Sequence, residues 1–349
     1  MLREKVRKPE TVKMMKLREA QVLRGHRGAL YVVRFNSQGD YCLTAGRDNE
    51  IRLWNPFRKG KDGSGLLLQT FEGYHGRGVV DLDVSRDNSQ FASCGNEKSA
   101  YVWDVSKCTV VRKFWEHDLN LTAVKFSLDA SVLLTGSNDR FVRIFDCRSR
   151  NNTPIQKLGG FVDMNLSISH RLSYHTHTHD RFKDGVTSLC TNAHQIIAGS
   201  VDGTIRTFDI RQGEVHIDKF QESVTCVSLS RDGKCVLAST LGSRLHLYEA
   251  SNGKDLNSYT GHTSSKFKIA SCLSNTESHV LSGSEDGSIY IWGLVDGKLE
   301  QKLTPSRTDS SSSMISSKKA ICDLAYHPTK KCLLSCGHDG TASLWVATS

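Results

Sequence analysis

Two constellations in the sequence have the composition of reactive sites. The first is "YHTHTHD" (174–180), in which His175, His177 and His179 alternate with threonines and run into Asp180. Imidazole and carboxylate groups bind zinc, copper or nickel. In an extended segment the three rings would share one face about 6.6 Å apart, and one ion could take two of them. The second constellation is a recurring hydroxyl, imidazole and carboxylate: His26, Thr44 and Asp48; His117, Thr135 and Asp139; His262, Ser282 and Asp286. Met once, such a set would suggest a nucleophile activated by a base. The chain has no GxxxxGK[ST], HExxH or GxSxG stretch to strengthen a catalytic reading.

The elements that carry these residues repeat along the chain. The stretches "GRDNEIRLWN" (46–55), "GNEKSAYVWD" (95–104), "GSNDRFVRIFD" (136–146), "GSVDGTIRTFD" (199–209), "TLGSRLHLYEA" (240–250), "GSEDGSIYIWG" (283–293) and "CGHDGTASLWV" (336–346) share one design. Each is a tight polar turn followed by alternating residues that end in an aromatic, the period of a strand. The aromatics are Trp54, Trp103, Phe145, Phe208, Tyr248, Trp292 and Trp345, so four of the five tryptophans occupy one slot. Two further strand-like runs precede each turn, and a histidine opens several units (His26, His75, His117, His262). Repeats of this length build arrays in which each unit buries its faces against its neighbours.

The pattern resembles the WD-repeat family over residues 20–347. The resemblance implies an all-β, seven-bladed propeller with four antiparallel strands per blade. A strand within 15–25 would complete the last blade and cover its edge. It also implies a structural role for the recurring set: His26, Thr44, Asp48 and Trp54, and likewise His262, Ser282, Asp286 and Trp292, would tie their blades through buried hydrogen bonds. Blade three keeps His117, Thr135 and Asp139 but has Phe145, with no indole N–H; blade two has Glu97 in place of Asp; blades four, five and seven lack the Gly-His. On this reading the protein is not an enzyme, has no catalytic residue and needs no cofactor.

The histidine run then falls outside the scaffold. The spacing from Phe145 to Phe208 is 63 residues, about 20 more than is usual here, and the surplus at 159–182 contains the run. A surface insertion of that length is thermodynamically cheap, and nothing in it fixes a metal geometry. A second, serine-rich insertion spans 304–319 and reads as a linker or a phosphorylation loop. Both connect an outer strand to the next inner strand, so both emerge on the face that carries the tetrad turns.

Bulk composition agrees with one large domain at 15–347 preceded by a basic tail at 1–14. Of 349 residues, 38% are hydrophobic and 24% charged, ordinary for a globular chain. No apolar run has the ~18 residues of a membrane helix, and no apolar core follows the basic N-terminus as in a secretory signal. The 11 cysteines recur in strand positions rather than in a disulfide framework, which suggests a reduced compartment, cytoplasm or nucleus. Residues 1–18 carry seven Lys/Arg against two Glu, +5 of the total +9. Such a tail is a solvated arm or a contact for an acidic surface such as RNA.

A closer likeness is to the mitogen-activated protein kinase organizer family of WD-repeat proteins. It rests on "VVRFNSQGDYCLTAGRDNEIRLWNP" (32–56), "VVRKF" (110–114), "FDCRSR" (145–150), "IIAGSVDGTIRTFDIRQGE" (196–214), "SRDGKCVLAST" (230–240) and "YHPTKKCLL" (326–334). Those proteins are non-catalytic scaffolds associated with kinase cascades and with the spliceosome. The likeness implies a monomeric platform whose partners are kinase-cascade components or spliceosomal proteins. Exposed candidates for binding are Arg27, Arg47, Arg77 and Arg140 near the tetrad turns. On the opposite face Arg148 and Arg211, in "FDCR" and "FDIR", resemble the paired Asp-x-Arg boxes by which some WD-repeat proteins dock onto a cullin-RING ligase adaptor as substrate receptors.

Overall fold

The computed structural model describes residues 16–159, 182–306 and 320–348. Within them lie 28 strands, β1 to β28, arranged as seven four-stranded antiparallel sheets. Blade one runs from β2 (Leu30–Phe35) to β5 (Gly65–Phe71), and blade two from β6 (Val79–Val84) to β9 (Thr109–Phe114). Blade three runs from β10 (Leu121–Phe126) to β13 (Gln156–Leu158), and blade four from β14 (Val186–Thr191) to β17 (Val215–Lys219). Blade five runs from β18 (Val224–Leu229) to β21 (Asp255–Thr260), and blade six from β22 (Ser271–Leu273) to β25 (Leu299–Leu303).

Blade seven is built from both ends of the described chain. It holds β26 (Ile321–Tyr326), β27 (Cys332–Gly337) and β28 (Ala342–Ala347), and its outer strand is β1 (Leu17–Leu23). β1 pairs with β28 from Leu17 opposite Ala347 to Leu23 opposite Ala342. The seven-bladed, all-β propeller closed by an N-terminal strand is therefore as the sequence implied.

Burial explains why the strands carry the residues they do. Second and third strands are buried almost throughout, as in Cys42–Gly46 and Ala100–Asp104. Outer strands alternate, as in Thr109–Phe114, because only one face meets a neighbour. The core is not a single mass. It is seven apolar seams, each shared by adjacent blades, such as that of Leu23, Leu30, Trp54, Leu334 and Leu344 between blades seven and one. This is nearest-neighbour packing closed into a ring.

Two local features bear on the site. In six blades the pairing of first and second strands carries a bulge near its start, and in blade six none is present. After the turn aspartates the backbone is left-handed at Asn49, Arg140, Gly203, Gly287 and Gly340. Asn and Gly tolerate that conformation; Arg140, at φ 72°, is the side chain that does not favour it.

The insertions differ slightly from expectation at their ends. Phe182, placed in the first insertion by the spacing, is 3% exposed and packs beneath the Arg206 guanidinium, 4.0 Å from its ring centre. The scaffold therefore resumes at 182. His175, His177 and His179, the tail 1–14 and residues 307–319 lie outside the described residues.

Candidate functional site: the tetrad-bearing face

In blade one the chain Trp54, Thr44, His26, Asp48 forms a relay of hydrogen bonds. The indole Nε1 donates to Thr44 Oγ1 at 2.8 Å, Thr44 Oγ1 meets His26 Nε2 at 2.7 Å, and His26 Nδ1 meets Asp48 Oδ2 at 2.8 Å. The carboxylate fixes the tautomer: Nδ1–H donates to Asp48, so Nε2 accepts the threonine proton. Asp48 also accepts the Arg27 backbone N–H at 3.1 Å, which ties the incoming loop to the turn. Burial pushes the Asp48 carboxyl up, but these bonds outweigh it and hold it below the ordinary carboxylate range.

Blade two makes the same relay with a longer acid. Trp103 donates to Ser93 at 2.8 Å, Ser93 meets His75 Nε2 at 2.7 Å, and His75 Nδ1 meets Glu97 at 2.5 Å. In blade three His117 meets Thr135 at 2.7 Å and Asp139 at 2.9 Å. Phe145 offers no N–H there; instead the buried Arg143 guanidinium donates to Asp139 beside His117. Blade four repeats that substitution, with Phe208 in the slot and Arg206 paired to Asp202 at 3.3 Å.

Blade six departs from the expected tetrad. His262, Ser282, Asp286 and Trp292 are all present but are not joined to one another. Among the described residues neither His262 ring nitrogen has a hydrogen-bond partner, Ser282 donates to the Gly283 carbonyl at 2.9 Å, and Trp292 donates to the Thr260 carbonyl at 3.1 Å. Asp286 is taken by the Tyr290 hydroxyl at 2.8 Å and by Lys302 at 2.9 Å. The cause is length. His26 precedes Thr44 by 18 residues, whereas His262 precedes Ser282 by 20. The longer loop is pinned by the Glu285 carboxylate, which accepts the N–H groups of Ser265, Lys266 and Phe267 at 2.7, 2.6 and 3.0 Å. His262 instead packs edge-on against Trp292, ring centres 5.6 Å apart, and burial lowers its pKa to about 4.

The tetrad hydroxyls cannot act as nucleophiles. Thr44, Ser93 and Thr135 are 0% exposed, so no substrate reaches them. The axial channel, about 230 Å³, is likewise occupied by its own charges. Arg34 of blade one pairs with Asp323 of blade seven and, at 3.0 Å, with Asp81 of blade two. Burial works against the Arg34 charge, yet the surrounding carboxylates outweigh it and raise its pKa. Lys268 donates to the carbonyls of Thr187 and Thr122 at 2.7 and 3.2 Å, across the inner strands of blades four and three. Among the described residues no group of three or more His, Cys, Asp or Glu could hold a metal.

The surface offers more. Arg27, Arg47, Arg77 and Arg140 are exposed around the tetrad turns, and Arg148 and Arg211 at the opposite end of the third strands. Asp146 and Asp209 accept the backbone N–H of Arg148 and Arg211, each at 2.8 Å. Those carboxylates shape the turn, and the Arg148 side chain reaches Asp146 only at 3.9 Å. On the tetrad face the loops into blades two and three expose Tyr74 (46%) and Trp115 (51%). Tyr74 packs on Tyr101 at 5.8 Å, and Lys113 lies over the same Tyr101 ring at 5.5 Å. Trp115 was legible in retrospect: it is the fifth tryptophan, the one outside the aromatic slot.

Comparison with known proteins agrees with this geometry. The family model "WD domain, G-beta repeat" matches residues 17–55, 65–104, 108–146, 170–209, 253–293 and 310–346. The chain is a member of the WD-repeat family. It is 33% identical over 342 residues to the WD repeat domain-containing protein 83 homolog of Dictyostelium discoideum, covering 95% of this chain and 99% of that one. It is 39% identical to WD repeat domain-containing protein 83 of Rattus norvegicus and 38% to that of Homo sapiens, each over 91% of this chain and 88% of the relative. The longest stretch left unmatched by the family model, 210–252, contains most of blade five.

Two predictions follow from the unequal tetrads. Thr44→Val leaves His26 Nε2 and Trp54 Nε1 unpartnered and lowers unfolding free energy in urea by about 2–4 kcal/mol, whereas Ser282→Ala costs under about 1 kcal/mol. The pH prediction concerns His262, whose folded pKa is about 4 against roughly 6.5 unfolded. Between those values only the unfolded chain binds the proton, so stability falls as pH drops through the window. His262→Phe lacks this component, and its stability relative to the parent rises by about 2–3 kcal/mol from pH 6.5 to 4.5 in urea titrations.

Proposed function

We propose that the protein is a non-catalytic scaffold of the mitogen-activated protein kinase organizer type, assembling signalling or pre-mRNA splicing complexes in cytoplasm and nucleus. The carrying observation is Trp115, a half-exposed tryptophan on the tetrad face. Large aromatic side chains with arginine neighbours are the usual anchors of protein interfaces. Arg77 and Arg140 occupy loops of the same face, and Arg140 holds a left-handed backbone that its side chain disfavours. Strain of that sort persists where a site demands it. The protein works as a monomer within larger complexes, and the +5 charge of residues 1–18 supports an RNA contact beside the protein contacts.

The test is affinity purification of the tagged protein from its native cells, with and without ribonuclease, read by mass spectrometry. Splicing or kinase-cascade proteins that survive ribonuclease are expected. Trp115→Ala is expected to reduce their recovery by about tenfold or more. Unchanged recovery with Trp115→Ala, together with loss of a cullin adaptor on replacing Arg148 and Arg211, would move the function to the opposite face and to the substrate-receptor reading.

A further inference from the structure

Blade five has lost its tetrad at every position, and the space has become a groove. In blade one the other three residues follow at 18, 22 and 28 places after His26. The same steps from Phe220 fall on Ala238, Gly242 and Tyr248. The histidine is a phenylalanine, the hydroxyl a methyl, the acid a glycine and the tryptophan a tyrosine. A Cβ added to Gly242 would lie 1.6 Å from the Glu222 carboxylate, so Glu222 fills the space that the missing acid leaves and accepts the Thr240 hydroxyl at 3.0 Å. What remains between blades four and five is a groove of about 500 Å³.

The groove floor is anionic and aromatic. Asp218, near the end of β17, lines it with a side chain only 15% exposed, and its one ion-pair contact among the described residues is His216 at 3.3 Å. Tyr248 lines it too, 3% exposed, with a buried hydroxyl that has no hydrogen-bond partner among the described residues. Phe220 stands beside both Tyr248 and His246, ring centres 5.9 and 5.1 Å apart. Lys219 and Arg244 line the groove but are exposed, so they sit at its rim. Burial lowers the pKa of His246, which keeps that ring neutral, and raises that of Asp218, a carboxylate short of a compensating cation.

We propose that this groove is a binding site for an arginine side chain presented by a basic segment of a partner protein. The guanidinium fits the groove: a planar cation meets the Asp218 carboxylate in a forked hydrogen bond and lies against the Phe220 ring. A phosphate or an acidic peptide does not fit, because it would face the Asp218 and Glu222 carboxylates. The site is independent of the Trp115 surface and of which complex the protein joins.

The test uses the full-length protein and the tripeptide acetyl-Gly-Arg-Gly-amide, followed through the His246 ring signals in NMR. The controls are the same peptide with citrulline, an uncharged isostere of arginine, and inorganic phosphate. Saturable shifts at millimolar peptide are expected, with citrulline about tenfold weaker or more. Asp218→Asn is expected to weaken the arginine peptide by about tenfold. A Phe220→Leu variant, shown to be folded by its unfolding midpoint, is expected to bind the arginine peptide about threefold more weakly. Equal response to arginine and citrulline, no effect of Asp218→Asn in a folded protein, or phosphate shifting the same signals would overturn the proposal.

Discussion

The constraint on which the rest depends is closure of the ring. Blade seven has three strands from the end of the chain and takes its fourth from the beginning. β1 lies along β28 for its whole length, the Thr348 N–H donates to the Lys16 carbonyl at 2.9 Å, and Leu17 and Leu23 are 4% and 2% exposed in two different seams. The other five seams join neighbours in sequence; these two also join residues more than 300 apart. Without it β28 would present an open edge, and the inter-blade bonds of the channel would lose their reference. Arg34, which straps blade one to blades two and seven, is the clearest of these.

Within the closed ring the blades are graded. Blades one and two carry full relays, three and four replace the indole by a buried arginine, six unties its set around a longer loop, and five has none. The grading matters because a relay does two jobs: it satisfies buried polar groups and it fills the wedge between blades. Where it is complete the blade offers only its loops to a partner. Where it is dismantled, as in blade five, the wedge itself becomes accessible. Structural redundancy thus frees single blades for recognition while the ring stays shut.

Much of this was legible in the sequence. The aromatic slot counted the blades, strand alternation set the faces, and the strand at 15–25 announced the closure. In blade six the residue types alone do not make the tetrad; two extra residues after His262 move the ring away from Ser282. Blade five's groove was hidden for the opposite reason. Its spacing is regular, but phenylalanine, alanine and glycine in polar slots do not resemble a site until the packing shows the space they leave. Trp115 could have been found by asking which tryptophan the repeat does not use. Arg143 and Arg206 could not, since a strand arginine gives no sign of burial until its aspartate is placed beside it.

The most direct measurement is amide hydrogen exchange on β28 and β27, comparing the intact protein with a chain lacking residues 1–23. Closure by β1 predicts loss of protection throughout Ala342–Ala347, spreading into Cys332–Gly337, with a lower unfolding midpoint. Unchanged protection of β28 and an unchanged midpoint would contradict it, and would mean that the ring is held shut by some other contact.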